Sequence, residues 1–288
     1  MEKVFDFIDK SGAQYVKELQ VLLGQPSISV HNDGIEETVA IVKKLLQDIS
    51  PNVEVIVPGK KSAPILCAEI SGETKKTILF YNHYDVRPPA TIDEWKYQPF
   101  GGTIDGGKIY ASGAADNKGD LMARIKAIEA LIKIKETLPL TVKFIIEGEA
   151  ESGSPTLADV VSLRPELLHA DLCISATGSS DDEGRLELTI MNNQCPDCPN
   201  RKADIISAVA EAVTEFHQRS PVVLSSSAKS SPMLEAVSKL GIPVIGLGIA
   251  NRGSRVHGSD ENINTADFLD GIKLIAFIMQ KLSGSDET

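Results

Sequence analysis

The chain has 288 residues, of which 42% are hydrophobic and 24% are charged, so it is large enough for one large globular domain or two smaller ones. Its formal net charge of −11, without any cluster of lysine or arginine, argues against binding to nucleic acid or to an anionic membrane. No apolar run approaches the ~20 residues that a membrane-spanning helix needs. The first six residues lack the basic-then-apolar pattern of a signal peptide, which favours a cytoplasmic protein.

Helical and extended segments alternate along the chain. Apolar spacing predicts the helices, and short β-rich or continuous apolar runs predict the strands. In chain order the elements are helix 4–23, helix 35–49, strands 53–57, 65–70 and 77–81, helix 117–134, strands 140–146 and 172–175, an apolar run at 186–191, helix 201–218, strand 244–249 and helix 265–282. Strands separated by helices favour an α/β fold with a mostly parallel sheet covered on both faces.

The four cysteines predict little redox chemistry. Cys67 and Cys173 lie within apolar runs and are expected to be small buried hydrophobic residues. Cys195 and Cys198 have the C-x-x-C spacing found in zinc knuckles and in redox motifs. A zinc knuckle needs a second pair of ligands, and none lies nearby. A redox motif would precede a helix, and one is expected to begin near residue 202, but a solvated loop is favoured over both.

Imidazole and carboxylate side chains recur where predicted elements end. His83 follows strand 77–81, and Asp85 lies two residues further on, where it can accept the ring N–H of His83 and fix the metal-binding nitrogen. Asp116 precedes helix 117–134, Glu151 follows strand 140–146 and His257 follows strand 244–249. Ligands collect beyond the carboxyl ends of strands in such sheets. This combination of side chains suits zinc or a similar divalent ion.

Each of these residues also has an ordinary structural explanation. Buried His–Asp pairs occur without a metal, and Asp116 is well placed to cap the following helix. Glu147, Glu149 and Glu151 suit a solvated acidic turn, and His257 suits a plain loop. We expect no metal to be bound by His31, His169 or His217. The joint placement of the four candidates at element ends favours a metal site.

Several segments resemble one known family, in the same order along the chain. They are 82–88, 113–119, 151–154, 231–233, 241–244 and 257–263. They are similar to the di-zinc exopeptidases that include carnosinase-like dipeptidases, glutamate carboxypeptidase, aminoacylase and succinyl-diaminopimelate desuccinylase. Trp95 with residues 98–100 resembles a loop of the dipeptidase branch.

The resemblance implies a three-layer α/β/α sandwich of the zinc-peptidase type. It also implies that His83 binds one metal ion, Asp116 bridges two, and Glu151 and His257 bind the other, with Asp85 orienting His83. The implied activity is metal-dependent hydrolysis of the amide bond of a dipeptide or an N-acyl amino acid. Zinc is the expected cofactor, with up to two ions in the family, and cobalt or manganese as substitutes.

The chain departs from the family at three positions. Ala150 stands where the family has the glutamate that serves as general base, and positioned general bases contribute roughly 10²–10⁴-fold. Ala176 stands where the family has an acidic metal ligand, and Ser112 where it usually has arginine. We therefore expect one retained metal ion and weak or absent hydrolysis. The alternatives are a catalytically dead metal-binding or scaffold domain, natural or engineered, and an unrelated α/β binding protein.

The family inserts a second domain as a lid over its active site, and we expect that lid domain to be absent between the two halves of this chain. Residues 178–184 form an acidic, Gly/Ser-containing segment that suits a linker or an ordinary turn. We expect one catalytic domain over 1–288, in halves 1–177 and 185–288 that this linker joins where the lid would be inserted. The run at 186–191 is then a residual lid strand, and the lid-mediated dimer is lost.

Overall fold

The computed structural model describes residues 1–89, 91–175, 179–181, 184–191, 199–225 and 232–284. The helices are α1 Glu2–Gly24, α2 Ile35–Gln47, α3 Lys118–Lys135, α4 Leu157–Leu163, α5 Pro199–His217, α6 Pro232–Lys239 and α7 Thr265–Ser283. The strands are β1 Val53–Ile56, β2 Ile65–Ile70, β3 Gly72–His83, β4 Thr103–Asp105, β5 Lys108–Tyr110, β6 Leu138–Glu147, β7 Leu172–Ser175, β8 Ser179–Ser180, β9 Glu187–Ile190, β10 Val222–Ser225, β11 Val244–Gly246, β12 Ala250–Asn251 and β13 Asn262–Asn264.

An eight-stranded sheet organises the fold, in the order β1-β2-β6-β3-β7-β11-β9-β10. Its four central strands, β6, β3, β7 and β11, run parallel to one another. Antiparallel pairs flank them, since β2 pairs antiparallel with β6 and β9 pairs antiparallel with β11. The carboxyl ends of β3 and β6 finish level, with His83 opposite Glu147. The predicted α/β class with a mostly parallel central sheet is confirmed.

The sheet lies between two layers of helices. Along β3, Ile78 and Phe80 join the larger apolar core, to which α1, α3, α5 and α7 contribute. Leu79 and Tyr81 join the smaller core, which α4 and α6 cover. Successive strand residues point to opposite faces, so this alternation requires cover on both sides. The fold is the predicted three-layer α/β/α sandwich.

Helix α3 is buried nearly all round and packs between the sheet, α1 and α7. Lys118, at its first turn, donates from Nζ to the carbonyls of Leu22 and Gln25 over 3.1 and 2.6 Å. Burial lowers the pKa of Lys118 to about 7. These bonds join the start of α3 to the end of α1, and they hold the loop just before α3 in place.

The strands predicted at 77–81 and 244–249 differ in length from the observed ones. The strand predicted at 77–81 is part of the twelve-residue β3. Strand β3 pairs with β6 from Gly72 to His83, and its residues 78–81 pair with β7 as well. The strand predicted at 244–249 is wrong beyond Gly246. There the chain leaves the sheet, because the N–H of Ile249 donates to the carboxylate of Asp120 over 3.0 Å instead of to a neighbouring strand.

Parts of the linker at 178–184 are structured. Ser179–Ser180 pairs in parallel with Ala250–Asn251. Asp181 accepts hydrogen bonds from the backbone N–H and from Nε of Arg185, both over 2.8 Å. The described part of this segment is therefore held by strand pairing and by hydrogen bonds to a side chain. The boundary between two halves and the lid insertion point stay predictions.

The cysteine predictions divide between tested and untested positions. Cys67 and Cys173 are buried free thiols, as expected, and burial raises the pKa of each to about 12. Cys195 and Cys198 lie outside the described residues.

Among the helices that the structure describes, none combines the length and apolar character needed to cross a membrane.

Candidate metal centre

The four predicted metal ligands meet beyond the carboxyl ends of β3 and β6. His83 is the last residue of β3, and its Nε2 lies 3.1 Å from Oδ1 of Asp116. Nε2 of His257 lies 3.1 Å from Oδ2 of Asp116 and 2.9 Å from Oε1 of Glu151. The structure thus brings together side chains from the first and last thirds of the sequence.

Asp116 occupies the centre of this group, with each carboxylate oxygen facing a different histidine. Helix α3 begins at Lys118 with Asn117 at its N-cap, so the alternative that Asp116 caps the helix is wrong. Glu261 supports the loop that carries Asp116. This buried carboxylate accepts the N–H groups of Gly113, Ala115 and Asp116 over 3.0, 2.8 and 3.0 Å.

Asp85 contacts His83 in the place where the sequence predicts it. Its Oδ1 lies 3.3 Å from Nδ1 of His83, and its backbone carbonyl lies 3.1 Å from the same nitrogen. The carboxylate also accepts the N–H groups of Ala150 and Glu151, over 3.1 and 3.0 Å, and the hydroxyl of Ser29 over 2.8 Å. Asp85 therefore ties the end of β3 to the loop that carries Glu151.

The acidic segment after β6 is not a solvated turn. Glu147 is 1% exposed and accepts hydrogen bonds from the hydroxyls of Tyr81 and Ser154. The carboxylate of Glu149 contacts the N–H of Ala63 and the hydroxyl of Thr156. Within this segment, only Glu151 reaches the histidine–aspartate group.

Electrostatics within the group are strongly coupled. Burial alone would raise the pKa of Asp116, but hydrogen bonds from His257 and His83 outweigh burial and lower it far below its usual value. Burial opposes protonation of His83, and its bonds to Asp116 and Asp85 nevertheless raise its pKa well above 6.5. Hydrogen bonds to Asp116 and then to Glu151 raise the pKa of His257 to about 9. Each carboxylate thus stabilises the charged form of a neighbouring imidazole.

The donor set fits a divalent metal ion. Ligand atoms of His83, Asp116 and Glu151 all lie within 4.8 Å of one another, close enough to surround one ion. His257, whose side chain is 32% exposed, contacts two members of this triad, Asp116 and Glu151. Two imidazoles and two carboxylates are ligands that zinc prefers. His83 also has a partner for its second ring nitrogen, since Nδ1 faces the carboxylate and the backbone carbonyl of Asp85, as an oriented metal ligand needs.

Sequence reasoning missed three residues that shape the centre. Glu261 supports the Asp116 loop, and Asn117 accepts from Nδ2 of Asn82 over 2.6 Å. Arg87 donates from Nε to Oε2 of Glu151 over 2.5 Å. All three lie inside segments that carry the family resemblance, which is the signal that could have singled them out. Ala176 lies outside the described residues, so its predicted position stays untested.

A mostly parallel sheet lies between helices, and imidazoles and carboxylates that could hold a divalent metal ion converge at the carboxyl ends of its strands. Residues 79–281 match the model for peptidase family M20/M25/M40, and the chain belongs to that family. The resemblance that the motifs predict is thereby confirmed.

Similar proteins include two dipeptidases. The human Beta-Ala-His dipeptidase is 33% identical over 176 residues, which cover 56% of this chain and 35% of the human protein. The Cys-Gly metallodipeptidase dug1 of Schizosaccharomyces pombe is 30% identical over 193 residues, which cover 62% of this chain and 40% of the yeast protein. The matched sequence therefore spans less than half of either relative.

Solved structures share the fold. The M20 family metallo-carboxypeptidase Sso-CP2 from Sulfolobus solfataricus superposes with a TM-score of 0.82 at 22% identity, over 93% of this chain and 99% of that chain. Human carnosine dipeptidase 1 superposes with a TM-score of 0.81 at 16% identity, over 98% of each chain. At these identities the likeness establishes the fold alone.

Proposed function

We propose that the chain holds one divalent metal ion, zinc by preference, at Asp116, Glu151 and His257, and that its hydrolysis of amide bonds is weak or absent. The observation that carries the proposal is the convergence of these side chains, with Nε2 of His257 3.1 Å from Asp116 and 2.9 Å from Glu151. Three protein ligands and one open position are typical of catalytic zinc sites.

Asp116 has the arrangement of a bridging carboxylate. Its Oδ2 faces His257, beside Glu151, and its Oδ1 faces His83, which would serve a second ion. We propose that the second position is weakened, since His83 and a shared Asp116 are few ligands for a stable tetrahedral site. The proposed loss of a further ligand rests on the sequence position of Ala176.

A bound metal ion would polarise the scissile carbonyl and lower the pKa of a bound water molecule. The protein would then need a side chain to accept the proton of that water. Ala150 opens the turn that carries Glu151, and its methyl group accepts no proton. The neighbouring acids Glu147 and Glu149 are engaged by hydroxyl and N–H donors. The alanine at position 150, where the family resemblance implies the general base, supports the proposal of weak or absent hydrolysis.

The proposed substrates are dipeptides or N-acyl amino acids. This class is supported by the names of the relatives, a Beta-Ala-His dipeptidase and a Cys-Gly metallodipeptidase. The proposal includes no nucleic-acid or membrane partner, in keeping with the net charge of −11. It also includes loss of a lid-mediated dimer and a cytoplasmic location, where the thiols of Cys67 and Cys173 would stay reduced.

Metal stoichiometry tests the site. Protein purified with zinc and then desalted should retain one zinc ion per chain by elemental analysis, and His257→Ala should lose it. His169→Ala is the matched control, because His169 is exposed and precedes β7 at the opposite end of the sheet. Retention of zinc by His257→Ala would refute the ligand assignment. No zinc in the wild type would favour the scaffold alternative.

Restoring the base tests the chemistry. Ala150→Glu should raise the rate of dipeptide or N-acyl amino acid hydrolysis by roughly 10²-fold or more, with zinc content unchanged. A matched Ala150→Gln variant places a side chain of similar size that accepts no proton, and it should stay at the wild-type rate. If the wild type already hydrolyses these substrates as fast as Ala150→Glu, the proposal that the chain lacks a general base at position 150 is wrong.

A further inference from the structure

Arg87 borders the metal centre with hydrogen-bonding capacity that is not used. Its Nε donates to Oε2 of Glu151 over 2.5 Å, whereas His257 contacts the other oxygen of that carboxylate. Within the described part of the chain, no group accepts a hydrogen bond from its two terminal nitrogens. The side chain is 56% exposed, so these donors are open to a ligand.

The space beside Arg87 is small and continues to the metal centre. A groove of about 20 Å³ is lined by Arg87, Pro88, Trp95, Asp116 and His257. The enclosed part of the groove holds one or two water molecules, and the groove is otherwise open to solvent. A small terminal group such as a carboxylate can therefore reach Arg87 while the rest of a ligand stays outside the enclosed space.

The proposed substrates carry such a group at the required place. In a dipeptide or an N-acyl amino acid, a free carboxylate follows the scissile amide nitrogen by two bonds. The planar guanidinium of arginine matches a carboxylate, and charge-assisted bonds of this kind are about twice as strong as neutral ones. Ionic recognition beside the metal centre would place the scissile bond over Asp116 and Glu151.

We propose that Arg87 binds the free carboxylate of the substrate and selects for amide bonds at a carboxyl terminus. This inference rests on the proposed function and names a substrate-binding residue for it. Nε would stay on Glu151 while the terminal nitrogens take the ligand, so that one guanidinium joins a metal ligand to the substrate.

Arg255 provides a matched control. It is equally exposed, at 56%, and lies two residues from His257. Its guanidinium, however, contacts Ser259 over 3.4 Å and Asp260 over 3.8 Å, and it is not among the groove residues. Arg255→Gln therefore removes the same charge from the same neighbourhood without removing the proposed contact.

The test compares N-acetylalanine with its carboxamide by NMR titration of the full chain, both zinc-loaded and metal-free. The wild type and Arg255→Gln should bind the acid about tenfold more tightly than the amide, as expected for one charge-assisted contact. Arg87→Gln should bind the two within twofold. Arg87→Lys, which keeps the charge without the planar fork, should fall between them.

A preference for the acid that survives in Arg87→Gln, or that the wild type lacks, would overturn the proposal. Metal-free protein separates carboxylate binding by Arg87 from direct binding to zinc. It also distinguishes the two proposals. A wild type that retains no zinc would refute the proposed metal site, whereas its preference for the acid over the amide would still test the role of Arg87. If Arg87→Gln does not fold, a preference in folded Arg87→Lys equal to the wild type refutes the inference.

Discussion

Arg124 joins the carboxyl ends of three strands from within the protein. Its side chain is 1% exposed, and Nη1 donates to the carbonyl of Tyr81 over 2.9 Å, to Oδ1 of Asn82 over 2.7 Å and to the carbonyl of Ile174 over 3.1 Å. Nη2 donates to the carbonyl of Leu247 over 3.1 Å. These acceptors belong to β3, to β7 and to the residue after β11, so one guanidinium connects the strands beneath the metal centre.

Replacement by methionine keeps an unbranched, flexible apolar side chain that reaches about as far as the arginine stem, and it removes every donor. Two N–H groups on Nη1 share three acceptors and one on Nη2 has its own, so three charged donors are engaged. Hydrogen bonds to a charged group contribute about 1.5–3 kcal/mol each, which amounts to roughly 4.5–9 kcal/mol before desolvation. The methionine variant no longer has to desolvate a charge, which offsets several kcal/mol of this loss. Removal of one member of a buried charged group typically costs about 3–5 kcal/mol in total. Asp120, whose burial raises its pKa to about 7 against the opposing charge of Arg124, loses its nearby cation as well.

Equilibrium unfolding in urea, followed by circular dichroism, measures this loss. Arg124→Met should lower the free energy of unfolding by about 3–5 kcal/mol. Arg164→Met is the matched control, since Arg164 is a surface arginine paired with Glu54 and Glu166, and its midpoint should change little. An Arg124→Met protein within about 1 kcal/mol of the wild type would refute the argument that these bonds hold the strand ends together.

Three further predictions concern the site and the thiols. Because the pKa of His257 is raised to about 9 by its carboxylate partners, metal-free protein should lose stability as pH rises from 6.5 through 9. Over the same range, zinc affinity measured by chelator competition should rise by up to about tenfold per pH unit, and a flat profile would count against the assignment. Glu261→Gln should weaken zinc binding by roughly 10–100-fold, because an amide oxygen cannot accept all three N–H groups; unchanged affinity would exclude this support. Peptides that contain Cys67 or Cys173 should resist alkylation until the protein is denatured, as mass spectrometry can show, and rapid labelling of native protein would contradict their burial.

Local sequence patterns predicted the elements of the core well. Strands β2 and β7 have the bounds that their apolar runs predict, and α3 differs from its prediction by one residue at each end. The short strands β4, β5, β8, β10, β12 and β13 and the helices α4 and α6 were missed. Each has eight residues or fewer, too short for its own apolar period to stand out, and tertiary packing stabilises such elements.

The sequence by itself determined which residues could bind a metal ion, because His83, Asp116, Glu151 and His257 stand at element ends within motifs of one family. Only the tertiary structure decided their contacts and their support. Glu261 holds a loop that lies 145 residues before it, a separation over which no local pattern extends. The partners of a polar side chain depend on which loops the parallel strands bring to one edge of the sheet, and that edge exists only once the strands have paired.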